Sequence, residues 1–209
     1  MGFATAAPAG YADLCRREPA QCPQNGYGFS QPLQRASYQT PALGTVAMTA
    51  ARWKELDDVN IQANERIRYV SDQAQYGMQD YWAVATAAGD CEDIALAKRQ
   101  ALLDRGWPRD ALRLALVQSP AAGQHVVLVV ATSSGDYVMD SRLDFVLPWQ
   151  KADYAWEESQ DGTGNWRVAG ADGHAVLVAA LAASYPAAGR PAAAIPASSG
   201  GELPIIALP

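Results

Sequence analysis

Apolar and polar positions in this chain change their period once, near its middle. From Thr49 onward, Trp53, Leu56, Val59, Asn60, Ala63, Ile67 and Val70 recur at steps of three and four, with Lys54, Asp57, Glu65 and Arg68 on the opposite face. That spacing predicts one amphipathic helix. Tyr76-Gly77 and Asp80-Tyr81-Trp82 interrupt it. A second helix is expected from Asp90 to the stop signal Gly106-Trp107-Pro108, burying Ile94, Ala97, Ala101 and Leu102 and exposing Lys98, Arg99 and Asp104. Beyond Pro108 the period drops to two. Leu112, Leu114 and Leu116 alternate with Arg113 and Ala115, His125 to Ala131 is a β-branched run, and Ser133 to Asp136 is a turn before Tyr137-Val138-Met139-Asp140. Two such runs about a short Gly-containing turn predict an antiparallel hairpin. A further strand pair is expected at Tyr154-Ala155-Trp156 and Trp166-Arg167-Val168. Helices first and antiparallel strands after them make an α+β layout.

The flanks carry no such period. Met1 to Thr40 is rich in Pro, Gly, Ala and Gln, and residues 1–48 are expected to form an extended arm. Ala and Pro dominate from Ala175 to Pro209, where only Arg190 and Glu202 are charged; 175–209 is expected to be a flexible tail, with Ala175 to Ser184 its one stretch suited to a short helix. The folded domain is thus expected over 49–174. With 209 residues, 49% hydrophobic and 18% charged, the chain has material for one sizeable core. Its 16 basic against 22 acidic residues argue against nucleic acid and anionic lipid as partners. No apolar run is long enough for membrane insertion, and no signal peptide is visible at the start.

Chemistry concentrates at Gly89-Asp90-Cys91-Glu92-Asp93. Asp90 is suited to cap the second helix, with Asp93 three residues on as in a capping box. Cys91 then occupies the first helical position, where free N–H groups and the helix dipole favour a thiolate. Three adjacent carboxylates, Asp90, Glu92 and Asp93, oppose that charge unless a cation neutralises them, and as hard oxygen donors they suit Ca²⁺. A base must be His125 or His174, the only histidines. His125 opens a buried strand, and Asp140, fifteen residues later across the hairpin, can lie beside it and orient its ring; His174 lies in a Gly-rich turn beside Asp172. Each residue alone has a plainer role: an inert buried Cys, a structural His, a turn-capping Asp, acids complementing a helix dipole. Their combination is the specific signal. Cys15 and Cys22, with six residues including Pro19 between them, are expected to close a small disulfide loop, which would leave Cys91 as the free thiol and imply an oxidising compartment; two unpaired thiols in a loose arm are the alternative.

Asn60-x4-Glu65-x3-Tyr69-x2-Asp72, Tyr76-Gly77-x2-Asp80-Tyr81-Trp82-Ala83, Gly89-Asp90-Cys91-Glu92-Asp93, Ala97-Lys98-Arg99 and His125-x-Val127-Leu128 together resemble the bacterial transglutaminase-like cysteine proteinases, over about Trp53 to Trp166. The resemblance implies a papain/transglutaminase-like fold, a helical layer packed on an antiparallel sheet. It implies a Cys91–His125–Asp140 triad and a Ca²⁺ held by Asp90, Glu92 and Asp93, with Asp72 a further candidate. It also implies a periplasmic hydrolase that cuts the N-terminal region of a large surface adhesin at a di-alanine site, promoting biofilm dispersal. The implied regulator is the periplasmic domain of an inner-membrane cyclic-di-GMP receptor. The helix start would supply part of an oxyanion hole, and an indole N–H from Trp82 or Trp53 the rest. Acyl transfer to an amine by the same triad, or a decayed site that only binds protein, are the competing readings.

Overall fold

The alternation after Pro108 builds the sheet that organises the molecule. The computed structural model describes residues 3–22 and 45–168. The expectations for the 175–209 tail and for His174 lie outside the described residues. Strands β3 (Leu112–Ser119), β4 (Gly123–Thr132), β5 (Gly135–Met139), β6 (Leu147–Pro148), β7 (Ala155–Gln160) and β8 (Trp166–Val168) form one antiparallel sheet in the order β6-β5-β4-β3-β7-β8. The expected hairpin is β4–β5, with Leu128 opposite Met139 and Thr132 opposite Gly135. The expected late pair is β7–β8, with Gln160 opposite Trp166. Two short strands ahead of the sheet, β1 (Arg68–Tyr69) and β2 (Ala88–Gly89), pair in parallel.

Because successive side chains of a strand face opposite ways, the sheet buries two faces. Leu112, Leu114, Val126, Leu128 and Val130 join the core of the helical layer. Ala115, Val117, Val127, Val129 and Val138 form a smaller core, covered by Leu147, Trp149, Tyr154 and Trp156 from the late segments. The helical layer holds α1 (Ala9–Arg17), α2 (Ala50–Arg66) and α4 (Cys91–Leu103), with the one-turn α3 (Asp72–Gln75) between the last two. The fold is therefore α+β of the transglutaminase-like kind, as expected.

Three local expectations are corrected. The arm is not extended throughout: residues Phe3 and Thr5 run along β8, but Ala9–Arg17 is helical, and Tyr11 and Leu14 are fully buried in the main core. Three-residue spacing of those two apolar side chains gives α1 an inner face, and the Cys15–Cys22 disulfide closes the segment behind it. α2 begins as expected, its Thr49 hydroxyl accepting the Arg52 N–H, but it ends at Arg66; Ile67 is already extended, and Arg68–Tyr69 goes to β1. In α4 Ile94 and Leu102 are buried and Asp104 is exposed as expected, but the rest of the face pattern differs. Lys98 and Arg99 are buried, while Ala97 and Ala101 are half-buried. α4 is packed between α2 and β4, so it has little wet face, and its long basic side chains are absorbed by polar partners.

Candidate active site

α4 begins at Cys91, directly after β2, which fixes the thiol at a helix start. Gly89 lets the chain turn in: a Cβ there would lie 2.6 Å from the Asp93 Cβ. Asp90 does not cap the helix with its side chain. Its Oδ2 instead accepts the N–H of Asp72 at the start of α3 (3.1 Å), so the expected capping box is replaced by a tie between two helix starts.

The Cys91 Sγ lies 3.0 Å from Glu92 Oε2 and also faces the backbone N–H of Val126 on β4. β5 ends opposite Leu128, which leaves the beginning of β4 open on that side for the thiol. Burial pushes the Cys91 thiol well up, the Glu92 carboxylate adds to this through its charge and its hydrogen bond, and only the Val126 N–H works the other way. Val126 is the neighbour of His125. That ring is 4% exposed, and its Nε2 lies 2.8 Å from Asp140 Oδ1. With Nε2 committed to Asp140, Nδ1 is the ring nitrogen left for another partner. Asp140 also accepts from the Arg142 N–H (2.9 Å) and from the Tyr154 hydroxyl. Burial works to raise the Asp140 pKa, but the hydrogen bonds from His125 and Tyr154 outweigh it and hold the carboxyl below its ordinary value.

Behind Asp140 lies a set of supporting hydrogen bonds that the sequence did not mark. Asn64 Nδ2 donates to the carbonyls of Asp140 (3.1 Å) and Leu143 (2.9 Å), Asn60 Nδ2 donates to Leu143 (2.6 Å), and Lys98 Nζ donates to Asn60 Oδ1 (2.8 Å). This buried chain clamps the turn that presents Asp140. The signal available was Asn60 lying among the apolar positions of α2. Tyr154 had no such signal, since it lies beyond an irregular connection.

The acids divide. Ligand oxygens of Asp72, Asp90 and Glu92 lie within 4.8 Å of one another, and all three residues are buried. Asp72 Oδ1 and Asp90 Oδ1 have no hydrogen-bond partner, and none of these carboxylates has an ion pair among the described residues. Burial raises the Glu92 pKa and the neighbouring Asp90 raises it further; burial likewise raises Asp72. Such a set of hard, uncompensated oxygens fits Ca²⁺. Asp93 stands outside this group: its Oδ1 accepts the Ala83 N–H (2.7 Å), and burial pushes it up to about 7. Trp82 has no free indole N–H for an oxyanion, because Nε1 donates to Asp80 Oδ1 (2.7 Å). Trp53 packs edge-on to Tyr137.

An α+β molecule with a thiol at a helix start, next to a strand whose histidine is paired to a buried carboxylate, is of the transglutaminase-like class. The chain belongs to the bacterial transglutaminase-like cysteine proteinase family, whose sequence profile matches residues 1–174, and it is by that membership a cysteine protease. The match takes in the arm, which the sequence resemblance had left out. No curated protein sequence matches the chain. Among solved structures it is similar to calcium-bound LapG of Legionella pneumophila (28% identity, 55% of this chain and 67% of that one, TM-score 0.48). It is also similar to an EGTA-treated LapG of the same organism (27%, 57% and 68%, 0.48) and to a third LapG structure (26%, 60% and 74%, 0.47). No helix of the described residues is long and apolar enough to cross a membrane.

Proposed function

We propose that the protein is a calcium-dependent cysteine endopeptidase of the periplasm, using Cys91, His125 and Asp140, that releases a large surface adhesin by cutting its N-terminal region at a di-alanine site and so promotes biofilm dispersal. The observation that carries the reading is the buried His125–Asp140 pair, 2.8 Å apart, on the strand whose next N–H faces the Cys91 sulfur. His125 takes the thiol proton and later delivers it to the leaving amine, while Asp140 keeps the ring in one tautomer and stabilises its charged form. N–H groups at the start of α4 would stabilise the negative charge that develops on the scissile carbonyl. Asp72, Asp90 and Glu92 would hold Ca²⁺, which would neutralise the carboxylates that now oppose a thiolate. Asp93 positions the loop at Ala83 in this reading and is not a ligand. A disulfide at Cys15–Cys22 accords with an oxidising compartment. The adhesin, its di-alanine site and the regulator, the periplasmic domain of an inner-membrane cyclic-di-GMP receptor, rest on the family resemblance. The test is cleavage of a purified adhesin N-terminal fragment. Cys91→Ala is expected to abolish cleavage while leaving the circular dichroism spectrum intact, and EGTA to reproduce the loss. Cleavage retained by Cys91→Ala would end the reading.

A further inference from the structure

At the end of the sheet away from His125, a cavity of about 260 Å³ opens between α1, α4 and the β7–β8 turn. Leu112, on its wall, pairs with Val130, whereas His125 pairs with Val117, so the two places are separated by about 17 Å of β3. Four residues on the wall present buried polar atoms without a hydrogen-bond partner: Tyr11 through its hydroxyl, Gln21 through Oε1, Arg99 through Nε and Gln160 through Nε2. Two of these orientations are fixed from behind. Gln160 Oε1 accepts the Leu114 N–H (3.1 Å), which turns its NH2 to the cavity. Gln21 Nε2 donates to Gln100 (3.2 Å), which leaves its Oε1 there.

Arg99 is the unusual member. It is 2% exposed; its guanidinium donates to the Gln21 carbonyl (2.6 Å), and the Tyr11 hydroxyl lies beside it. Asp110 and Asp161 also line the cavity; Asp161 is held by Arg167 (2.6 Å), and no carboxylate among the described residues forms an ion pair with Arg99. Burial opposes its charge, the Tyr11 hydroxyl alone works the other way, and Arg109 adds a second positive charge nearby. An arginine does not escape this by losing its proton. A buried charge is retained where something of opposite sign compensates it.

We infer that this cavity is a binding site for a small carboxylate carrying a neighbouring hydroxyl or amine, its carboxylate taken by Arg99, Tyr11 and Gln160 and its own donor by Gln21. Three donors and one acceptor match that chemistry, and the volume falls below that of drug-sized pockets. Arg99 lies two turns along α4 from Cys91, about 12 Å away along the axis, so an occupant would tie α1 and the β7–β8 turn to the helix that carries the thiol.

Lactate serves as the probe, titrated into the full chain while the Arg99 Nε–H resonance is followed by ¹H–¹⁵N NMR. A saturable shift is expected with lactate and none with lactamide or with sodium chloride at equal ionic strength. Tyr11→Phe keeps the ring packed on Trp82 and Trp166 and removes only the hydroxyl; it is expected to weaken lactate at least about tenfold. No shift with lactate, an equal shift with lactamide or chloride, or unaltered affinity in Tyr11→Phe would overturn the inference and leave a water-filled cavity.

Discussion

Asp140 is held from three directions, by the His125 ring, the Tyr154 hydroxyl and the Arg142 N–H. Each bond favours its charged form, so its folded-state pKa lies below the unfolded value near 3.9. A carboxyl lowered in this way contributes stability that is fully present above the unfolded value and is lost as the pH falls through the folded one. Urea midpoints of the wild type should therefore fall between about pH 4 and pH 2, and Asp140→Asn should lose the part of that decline that Asp140 supplies. The same substitution should lower kcat by about 10²–10⁴, because an amide no longer stabilises a charged imidazole. Tyr154→Phe removes a single hydrogen bond to the carboxylate and should lower kcat by only about tenfold. An unchanged kcat in Asp140→Asn would detach this residue from the chemistry. The chain order of Cys, His and Asp made these side chains legible, because a helix start and a β-hairpin leave strong local marks. Tyr154 was legible as part of a strand with Trp156 but not as a partner of Asp140, since strand alternation gives a residue's face and not the far segment that it meets.

At the level of elements, α4 departs most from its sequence pattern. Lys98 read as a wet residue because charge is normally solvated, yet burial lowers its pKa to about 7 against the pull of Asp140 and Asp144. Tertiary packing set its place, since position 98 of a helix lying between α2 and the sheet is on the packed side. The sign of the consequence is fixed. Between about pH 7 and the unfolded value near 10.4 the unfolded chain binds more protons at this group, so folding stability rises with pH there. Lys98→Met removes that dependence. Relative to the variant, the wild type should gain on the order of 1–3 kcal/mol between pH 6.5 and pH 9.5 in urea unfolding; parallel curves would show that the lysine titrates normally. α1 gives the second case. Its Gly10 N–H donates to Asp80 (2.8 Å), and a Cβ at Gly10 would lie 2.4 Å from the Trp82 ring. Gly10→Ala should push α1 off the 80–82 loop and cost about 1–3 kcal/mol by urea midpoint. The arm looked irregular because its inner face has only two large apolar residues, Tyr11 and Leu14, too few to declare a period.

At the scale of the whole molecule, the acid cluster joins segments that no local pattern in the sequence brings together. Asp72 lies on a one-turn helix eighteen residues before Asp90, and its place beside Asp90 and Glu92 comes from the parallel β1–β2 pair, which sets Arg68 opposite Ala88 and Tyr69 opposite Gly89. Strands of two residues carry no readable alternation, so the sequence favoured contiguous Asp93 over distant Asp72. Charges on three carboxylates buried this close together oppose one another, which is why burial and neighbouring charge raise Asp72 and Glu92. A cation that binds them should therefore stabilise the global fold as well as the site. A ligand present at a hundred times its dissociation constant adds about 2.7 kcal/mol, which for a chain of this length raises the melting temperature by roughly 5–10 °C. Calcium should produce a rise of that order in a calorimetric scan, EGTA should reverse it, and magnesium should do far less because it demands tighter octahedral geometry. Asp72→Asn should remove most of the calcium effect and Asp93→Asn should leave it largely in place. If instead Asp93→Asn abolishes the rise and Asp72→Asn spares it, the ion sits on the contiguous acids and the β1–β2 pairing has no part in holding it.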